Sequence, residues 1–185
     1  SVITEGEVQQ LAALRNIDMS EETYMQVIGA KTAALFAAAT EVAPVIAERP
    51  AAERAALKDY GQKLGLAFQL VDDALDYGGF ESALGKSVGD DFREGKVTLP
   101  VIRAYACADK TETEFWQRVI ADNEQEDVDL EKAVSLLRKA GALQSTMDLA
   151  REHAKGARDA LNIFPDNAWR ATLQDLADFV VERIN

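Results

Sequence analysis

Disulfide pairs, long apolar runs and strand-like alternation are absent from this 185-residue sequence. Its single cysteine, Cys107, excludes an intramolecular disulfide and is compatible with a reducing cytosol, so we expect a cytoplasmic protein. No stretch approaches the ~20 apolar residues of a membrane span, so we expect no stable membrane insertion. The apolar residues are mostly Ala and Leu, which favours helix over strand. We therefore predict a single all-α domain over residues 1–185.

Positive charge is also scarce, because 20 Lys and Arg stand against 32 Asp and Glu, for a formal net charge of −12. This balance argues against a nucleic-acid partner and against electrostatic attachment to anionic membranes. An acidic protein that handles anionic substrates needs local Lys or Arg together with bridging metal ions. The only histidine, His153, has no cysteine or carboxylate cluster near it in the sequence, which favours a structural or surface role.

The predicted helix from Ala52 to Tyr77 is the element around which the chain is organised. Its apolar residues recur at steps of four, three and four and should face a core: Leu64, Phe68, Val71 and Leu75. A different side of the helix carries the polar residues Gln69, Asp72, Asp73 and Asp76. Carboxylates this close repel one another, and a bound cation relieves the repulsion. Oxygen ligands without nearby His or Cys suit Mg²⁺ rather than Zn²⁺. The alternative interpretation is that these carboxylates form a solvated acidic face without a metal ion.

A second helix is predicted from Ser20 to about Val42, ending near Pro44, with Ser20 as its cap. Its expected buried stripe is Tyr24, Val27, Ile28, Leu35 and Ala38. Lys31 falls within this stripe and Thr32 follows it. The lysine is either a snorkelling side chain at the edge of the core or part of a cavity that holds an anion.

Regular periodicity is lost between Phe80 and Gly95, where glycines and charges of both signs predict an ordered or closing loop beside the acidic helix. The helices that follow carry plain apolar stripes to which we assign no chemistry. The stripe of the last helix is Trp169, Leu173, Leu176, Val180 and Ile184, and it is expected to face the core.

The polar features form sequence blocks in a fixed order along the chain. These blocks are Glu5-Gly6-Glu7-Val8 with Gln10-Leu11, Lys31-Thr32, Gly65-x-x-Phe68-Gln69-x-x-Asp72-Asp73-x-x-Asp76, Leu84-Gly85-Lys86, Gly89-Asp90-Asp91 and Glu94-Gly95-Lys96-x-Thr98-Leu99-Pro100. Together they resemble the trans-isoprenyl diphosphate synthases over essentially the whole chain. The segment from Asp178 to Arg183 is similar to the end of the medium- and long-chain members, of the octaprenyl and decaprenyl type.

This resemblance implies an isoprenoid synthase helical bundle, usually a homodimer, that condenses isopentenyl diphosphate with an allylic diphosphate in the presence of Mg²⁺. It implies that Asp72 and Asp76 bind metal. It places the allylic diphosphate against three ammonium groups, those of Lys31, Lys86 and Lys96. The catalytic residues that it implies are Lys31, Thr32, Gln69, Asp72 and Asp73, with Thr32 and Gln69 lining the reaction centre.

The sequence also departs from the family pattern. The first aspartate-rich motif is absent, and so is the upstream Gly-Lys-Arg-Arg region that holds isopentenyl diphosphate. With the abrupt start at Ser1, this leads us to expect the C-terminal portion of a polyprenyl diphosphate synthase. The bundle should then lack its N-terminal helices and expose apolar faces, and this chain alone should be inactive.

Three alternatives stay open at this point. A non-catalytic regulatory subunit of a heteromeric synthase is the main one, although such subunits tend to lose aspartate motifs. A class I terpene cyclase ionises a similar substrate, but the Gly- and Lys-rich loop argues for chain elongation. A purely structural helical module would show no Mg²⁺-dependent diphosphate binding.

Overall fold

A computed structural model of the chain describes residues 2–78 and 89–182, with the side chains of residues 2, 3 and 5 left aside. Within these ranges the regular elements are helices and no strand occurs, which confirms the all-α prediction. The α-helices described are α1 (Val2–Ala12), α2 (Glu21–Ile28), α3 (Ala34–Ile46), α4 (Ala51–Leu75), α5 (Asp90–Glu94), α6 (Leu99–Ala106), α7 (Lys110–Trp116), α8 (Asp129–Lys139), α9 (Ala142–Ala160) and α10 (Ala168–Glu182). Shorter turns of other helix types occur at Gly29–Ala33, Gln117–Ala121 and Leu161–Ile163.

Helix α4 is the central element, as the sequence predicts. It packs mainly between α3 and α9 and also contacts α6 and α10. Its C-terminal half contributes Val71, which is fully buried, to a large core shared with α6, α7, α8 and α9. Phe68 and Leu75 are only partly buried, although each packs against a core cluster. The predicted stripe therefore faces the core with its edges half-covered.

The second predicted helix is divided by a wider turn. Residues Gly29–Ala33 form a π-helical segment between α2 and α3, in which the amide of Ala34 donates to the carbonyl of Gly29, five residues earlier. A π turn accommodates one residue more than an α turn, so the buried stripe steps by five from Ile28 to Ala33 instead of by four.

This change of phase overturns two predictions. Leu35 is 57% exposed and Ala38 is also exposed, whereas Ala37 is buried in their place. The predicted end near Pro44 is also wrong, because α3 continues to Ile46 with the proline inside its last turn. The proline lowers the stability of the helix only slightly, because it removes a single backbone hydrogen-bond donor close to the helix end.

Large apolar side chains are exposed on several helices. Leu11 on α1 is 68% exposed and Ile46 at the end of α3 is 77% exposed. The predicted core position of Trp169 on α10 is wrong, because this side chain is 82% exposed. Helix α10 packs through Ala177 and Val180, and Leu173 is partly buried against the same cluster, as predicted. Leu176 is 44% exposed, against the prediction, and Ile184 lies outside the described residues. Uncovered apolar faces agree with the expectation of a bundle present only in part.

No helix among residues 2–78 and 89–182 combines the length and the apolar character that a membrane crossing requires.

Helices α3 and α4 approach each other closely at Gly61. A Cβ atom at this position would lie 2.4 Å from the carbonyl oxygen of Phe36 and 2.2 Å from Oγ1 of Thr40. The Thr40 hydroxyl donates across the contact to the carbonyl of Leu57 at 2.6 Å. The absence of a side chain at Gly61 therefore determines how closely the two helices pack.

We predict that Gly61→Ala lowers stability by about 1–3 kcal/mol, since the added methyl meets backbone atoms that cannot move aside. For a chain of this size, each kcal/mol lowers Tm by ~2–4 °C, measured by thermal unfolding followed with circular dichroism. Gly29→Ala is the matched control, because the nearest atom to its added Cβ is the Gln62 amide nitrogen at 3.7 Å. Equal Tm values for the two variants would contradict the prediction.

Candidate functional site

The π-helical segment carries two predicted site residues, Lys31 and Thr32, and α1 packs directly on it. A Cβ atom on Gly6 would lie 2.6 Å from the backbone nitrogen of Lys31, so only glycine permits this approach. The approach brings Gln10 within reach, and its Oε1 accepts a hydrogen bond from Lys31 Nζ at 2.5 Å. Lys31 is thus half-buried and held by α1 rather than extended into solvent.

A chain of side-chain hydrogen bonds links the π segment, α4 and α2. The hydroxyl of Thr32 donates to Gln69 Oε1 at 2.9 Å, and Gln69 Nε2 donates to Asp73 Oδ1 at 2.7 Å. The other carboxylate oxygen, Asp73 Oδ2, accepts from the Tyr24 hydroxyl at 2.5 Å. Thr32, Gln69 and Asp73, which the sequence assigns to one site, are therefore brought together.

Asp73 is buried, with 3% of its surface exposed. Burial raises the pKa of Asp73 to about 7, although the hydrogen bonds from Tyr24 and Gln69 oppose the increase and the charge of Asp91 adds to it. Burial, followed by the charge of Asp73, raises the pKa of Tyr24 well above its ordinary value. The tyrosine therefore stays protonated and donates its hydrogen bond to the Asp73 carboxyl group.

Asp72 and Asp76 differ from Asp73 in being half-exposed. The two oxygens of Asp76 accept hydrogen bonds from the backbone amides of Asp90 at 3.2 Å and Asp91 at 3.1 Å, so this carboxylate fixes the start of α5. Burial and the charge of Asp91 raise the pKa of Asp76 to about 6, against the effect of those amides. Asp76 thus anchors the start of α5 to α4.

Lys96 lies after α5 and is held by carboxylates. Its Nζ is 3.0 Å from Asp91 Oδ1 and 2.7 Å from Glu94 Oε2. Burial lowers the pKa of Lys96, but the hydrogen bonds to Glu94 and Asp91 outweigh this effect and the pKa is raised. The lysine is therefore a permanent cation next to α5. Lys86 lies outside the described residues.

The residues present fit a magnesium site in their donor chemistry. Carboxylate oxygens are the ligands that Mg²⁺ prefers, and this ion commonly takes only one or two of them together with phosphate oxygens. Within the part of the chain that the structure describes, no three Asp, Glu, His or Cys side chains converge as a ready-made cluster. Asp72 has the exposure that a ligand requires, whereas each oxygen of Asp76 already accepts a backbone bond. His153 is half-buried on α9, and burial lowers its pKa.

Sequence reasoning missed three partners of the predicted residues. The apolar stripe predicts only a core position for Tyr24, because its contact with Asp73 spans 49 residues of sequence. Gln10 belongs to a recognised block, yet nothing in its sequence position points to Lys31. Asp91 belongs to the Gly89-Asp90-Asp91 block, but its link to Asp76 depends on where the fold places α5.

Comparison with known proteins gives consistent results. The sequence model of the family described as Polyprenyl synthetase matches residues 1–137. The chain is 40% identical over 183 residues to the octaprenyl diphosphate synthase of Escherichia coli (strain K12), covering 99% of this chain and 56% of that protein. The decaprenyl diphosphate synthase of Rhodobacter capsulatus superimposes with a TM-score of 0.94 at 52% identity, covering 100% of this chain and 57% of that one.

A crystal structure of a polyprenyl synthase from Caulobacter crescentus CB15, complexed with calcium and isoprenyl diphosphate, gives the same TM-score of 0.94 at 52% identity. It covers 98% of this chain and 56% of that one. The chain thus spans a little over half the length of each of these relatives.

The raised pKa of Asp73 predicts a pH-dependent stability. Between its ordinary pKa of 3.8 and its folded value of about 7, the folded state retains a proton that the unfolded chain has released, so stability falls as pH rises through this window. In EDTA we expect Asp73→Asn to raise Tm relative to the unmodified protein at pH 8, and the gain to disappear towards pH 4. Differential scanning calorimetry across this range measures the difference.

Asp129→Asn is a control of opposite sign. The Arg118 guanidinium bonds to both oxygens of Asp129 and holds the pKa of that carboxyl below its ordinary value of 3.8. Its contribution is therefore complete above pH 4 and is lost as pH falls further. Asp129→Asn should lower Tm at pH 8. A lower Tm for both variants at pH 8 would contradict the interpretation of Asp73.

Proposed function

Because this chain belongs to the polyprenyl synthetase family, we propose that the whole protein condenses isopentenyl diphosphate with an allylic diphosphate to form a polyprenyl diphosphate. Such products serve isoprenoid and quinone side-chain biosynthesis. The observation that carries the proposal is the hydrogen bond between Thr32 on the π segment and Gln69 on α4, beside Asp72 and Asp73. This hydrogen bond places two uncharged oxygen atoms next to the acidic residues of α4. A cationic reaction centre needs such oxygens for its stabilisation.

The charged residues have complementary roles in this reaction. We propose that Lys31 and Lys96, with Lys86, bind the allylic diphosphate, and that Asp72 and Asp76 hold Mg²⁺. The bound ions neutralise charge that develops on the departing diphosphate. Thr32 and Gln69 present oxygen atoms to the electron-poor allylic carbon. The half-buried position of Lys31 and the two carboxylates at Lys96 keep both ammonium groups in place before substrate arrives.

The alternative function, a non-catalytic regulatory subunit, receives no support from the relatives, which are synthases. This chain also retains the complete second aspartate motif, Asp72, Asp73 and Asp76. We propose a homodimer as the assembly of the whole protein and the cytoplasm as its location. The exposed apolar side chains on α1 and α3 give such a protein surfaces to cover.

We expect Asp72→Ala in the whole protein to lower kcat about 100- to 1000-fold, since it removes a ligand of an ion that acts on the leaving group. Incorporation of labelled isopentenyl diphosphate with Mg²⁺, and its loss in EDTA, measures the effect. Asp148→Ala is the matched control, an exposed carboxylate on α9 that pairs with Arg151 at 2.8 Å. Comparable activity in both variants would refute the role of Asp72.

We expect the 185-residue chain by itself to give no condensation. The sequence has no first aspartate-rich motif and no upstream basic region for isopentenyl diphosphate, so one substrate lacks its binding residues. The same incorporation assay on the purified chain measures this, with the whole protein as the positive control. Turnover by the isolated chain would show that these missing regions are dispensable.

A further inference from the structure

We propose that Tyr24 is a positioning residue that acts through Asp73 to fix the orientation of the Gln69 side-chain amide. This inference rests on the proposed function, because it concerns which end of that amide reaches the reaction centre. Tyr24 belongs to α2 and Gln69 to α4, and the buried carboxylate of Asp73 joins them. None of the motifs that identify the site includes the tyrosine.

The two ends of the Gln69 amide are chemically different. Nε2 can only donate hydrogen bonds and Oε1 can only accept them, whereas an ionised carboxylate only accepts. With Nε2 at 2.7 Å from Asp73 Oδ1, Oε1 is directed to Thr32, whose hydroxyl donates to it at 2.9 Å. The opposite orientation would place two acceptor oxygens against each other and leave both Nε2 hydrogens on the Thr32 side.

The carboxylate can select this orientation only if it is itself held. Asp73 is 3% exposed, so its second oxygen needs a donor within the protein. Tyr24 supplies that donor from another helix at 2.5 Å, and at 3% exposure its own hydroxyl is shielded from solvent. Without the hydroxyl, Asp73 would keep Gln69 as its only side-chain hydrogen-bond partner among the described residues, and its carboxylate could turn about the χ2 bond.

The orientation matters because the proposed reaction creates positive charge on carbon. An amide oxygen and a hydroxyl oxygen stabilise such a centre, whereas an N–H group pointed at it would oppose its formation. Tyr24 should therefore affect the ionisation step while leaving the binding of either diphosphate unchanged. This distinguishes a positioning role from a general packing role.

The test is Tyr24→Phe in the whole protein, which removes one oxygen atom. We expect kcat to fall roughly 10-fold, less than the ~100-fold typical of a direct contact, with KM for both diphosphates within about twofold of the unmodified values. Tyr60→Phe is the matched control, because the buried Tyr60 also donates one hydrogen bond, to the Leu173 carbonyl at 2.8 Å. Both variants lose a buried bond and some Tm, but only Tyr24→Phe should lose kcat.

A double-mutant cycle adds a readout that packing cannot mimic. If Tyr24 acts through Gln69, Tyr24→Phe should have no further effect on kcat in a Gln69→Leu background. Independent, multiplicative losses in the two variants would overturn the proposal, and so would an unchanged kcat in Tyr24→Phe. If the unmodified whole protein shows no condensation, the proposed function fails and this inference fails with it.

A second variant covers the case in which Tyr24→Phe does not fold. Tyr24→Phe/Asp73→Leu replaces both partners of the buried bond by apolar groups of similar shape, so no buried oxygen is left unpaired. A kcat equal to that of Asp73→Leu alone, with unchanged KM and a retained Tm, supports the proposal, because Tyr24 would act only through Asp73; a kcat clearly below that of Asp73→Leu would contradict it. A kcat within about twofold of the unmodified protein would overturn it, because the Gln69 amide would then need no support from this side.

Discussion

A carboxylate that is buried must receive hydrogen bonds from the protein, and Asp73 receives them from two different helices. Tyr24 donates from α2 and Gln69 from the preceding turn of α4. Because Gln69 is in turn bonded to Thr32, the same carboxylate relates α2, the π segment and α4 to one another. The relative positions of Tyr24, Thr32 and Gln69 follow from satisfying this single group.

The burial of Asp73 opposes stability at neutral pH, as its raised pKa shows, so close packing elsewhere has to maintain the fold. Helix α4 itself provides much of that packing. Val71 is fully buried in the large core, and Gly61 allows α3 to lie against the N-terminal half of α4. The second half of the helix thus carries a buried apolar face and a polar face side by side. Stability and chemistry are separated around the helix axis.

Much of the fold could be predicted from residue order alone. The central helix, its apolar stripe and the later helices follow from periodicity over many residues, because a long amphipathic pattern admits few other structures. The prediction that Leu35 is buried was wrong because one extra residue in the π turn changes the phase of the buried stripe. No local residue type indicates such a turn. The predicted core position of Trp169 was wrong because periodicity identifies an apolar face without showing whether another element covers it.

The site was predictable where its members share a motif and unpredictable where they meet through tertiary contacts. Asp72, Asp73 and Gln69 are close in sequence, so a helical repeat relates them directly. The donor from Tyr24 depends on where the fold places α2 relative to α4. The use of Asp76 as an anchor depends on where the fold places α5. Spacing in the sequence reveals which oxygens are close together, but not which of them are already occupied.

The π turn at Gly29–Ala33 has a consequence for how the chain tolerates changes of length. Deleting one residue there would restore a regular α-helix, but it would rotate everything before the deletion by about 100° and shift it by about 1.5 Å along the axis. Tyr24 would then turn away from Asp73 while Thr32 stayed beside Gln69. A substitution such as Gly29→Ala leaves the register of the turn unchanged, whereas a single-residue deletion would separate the two ends of the hydrogen-bonded chain.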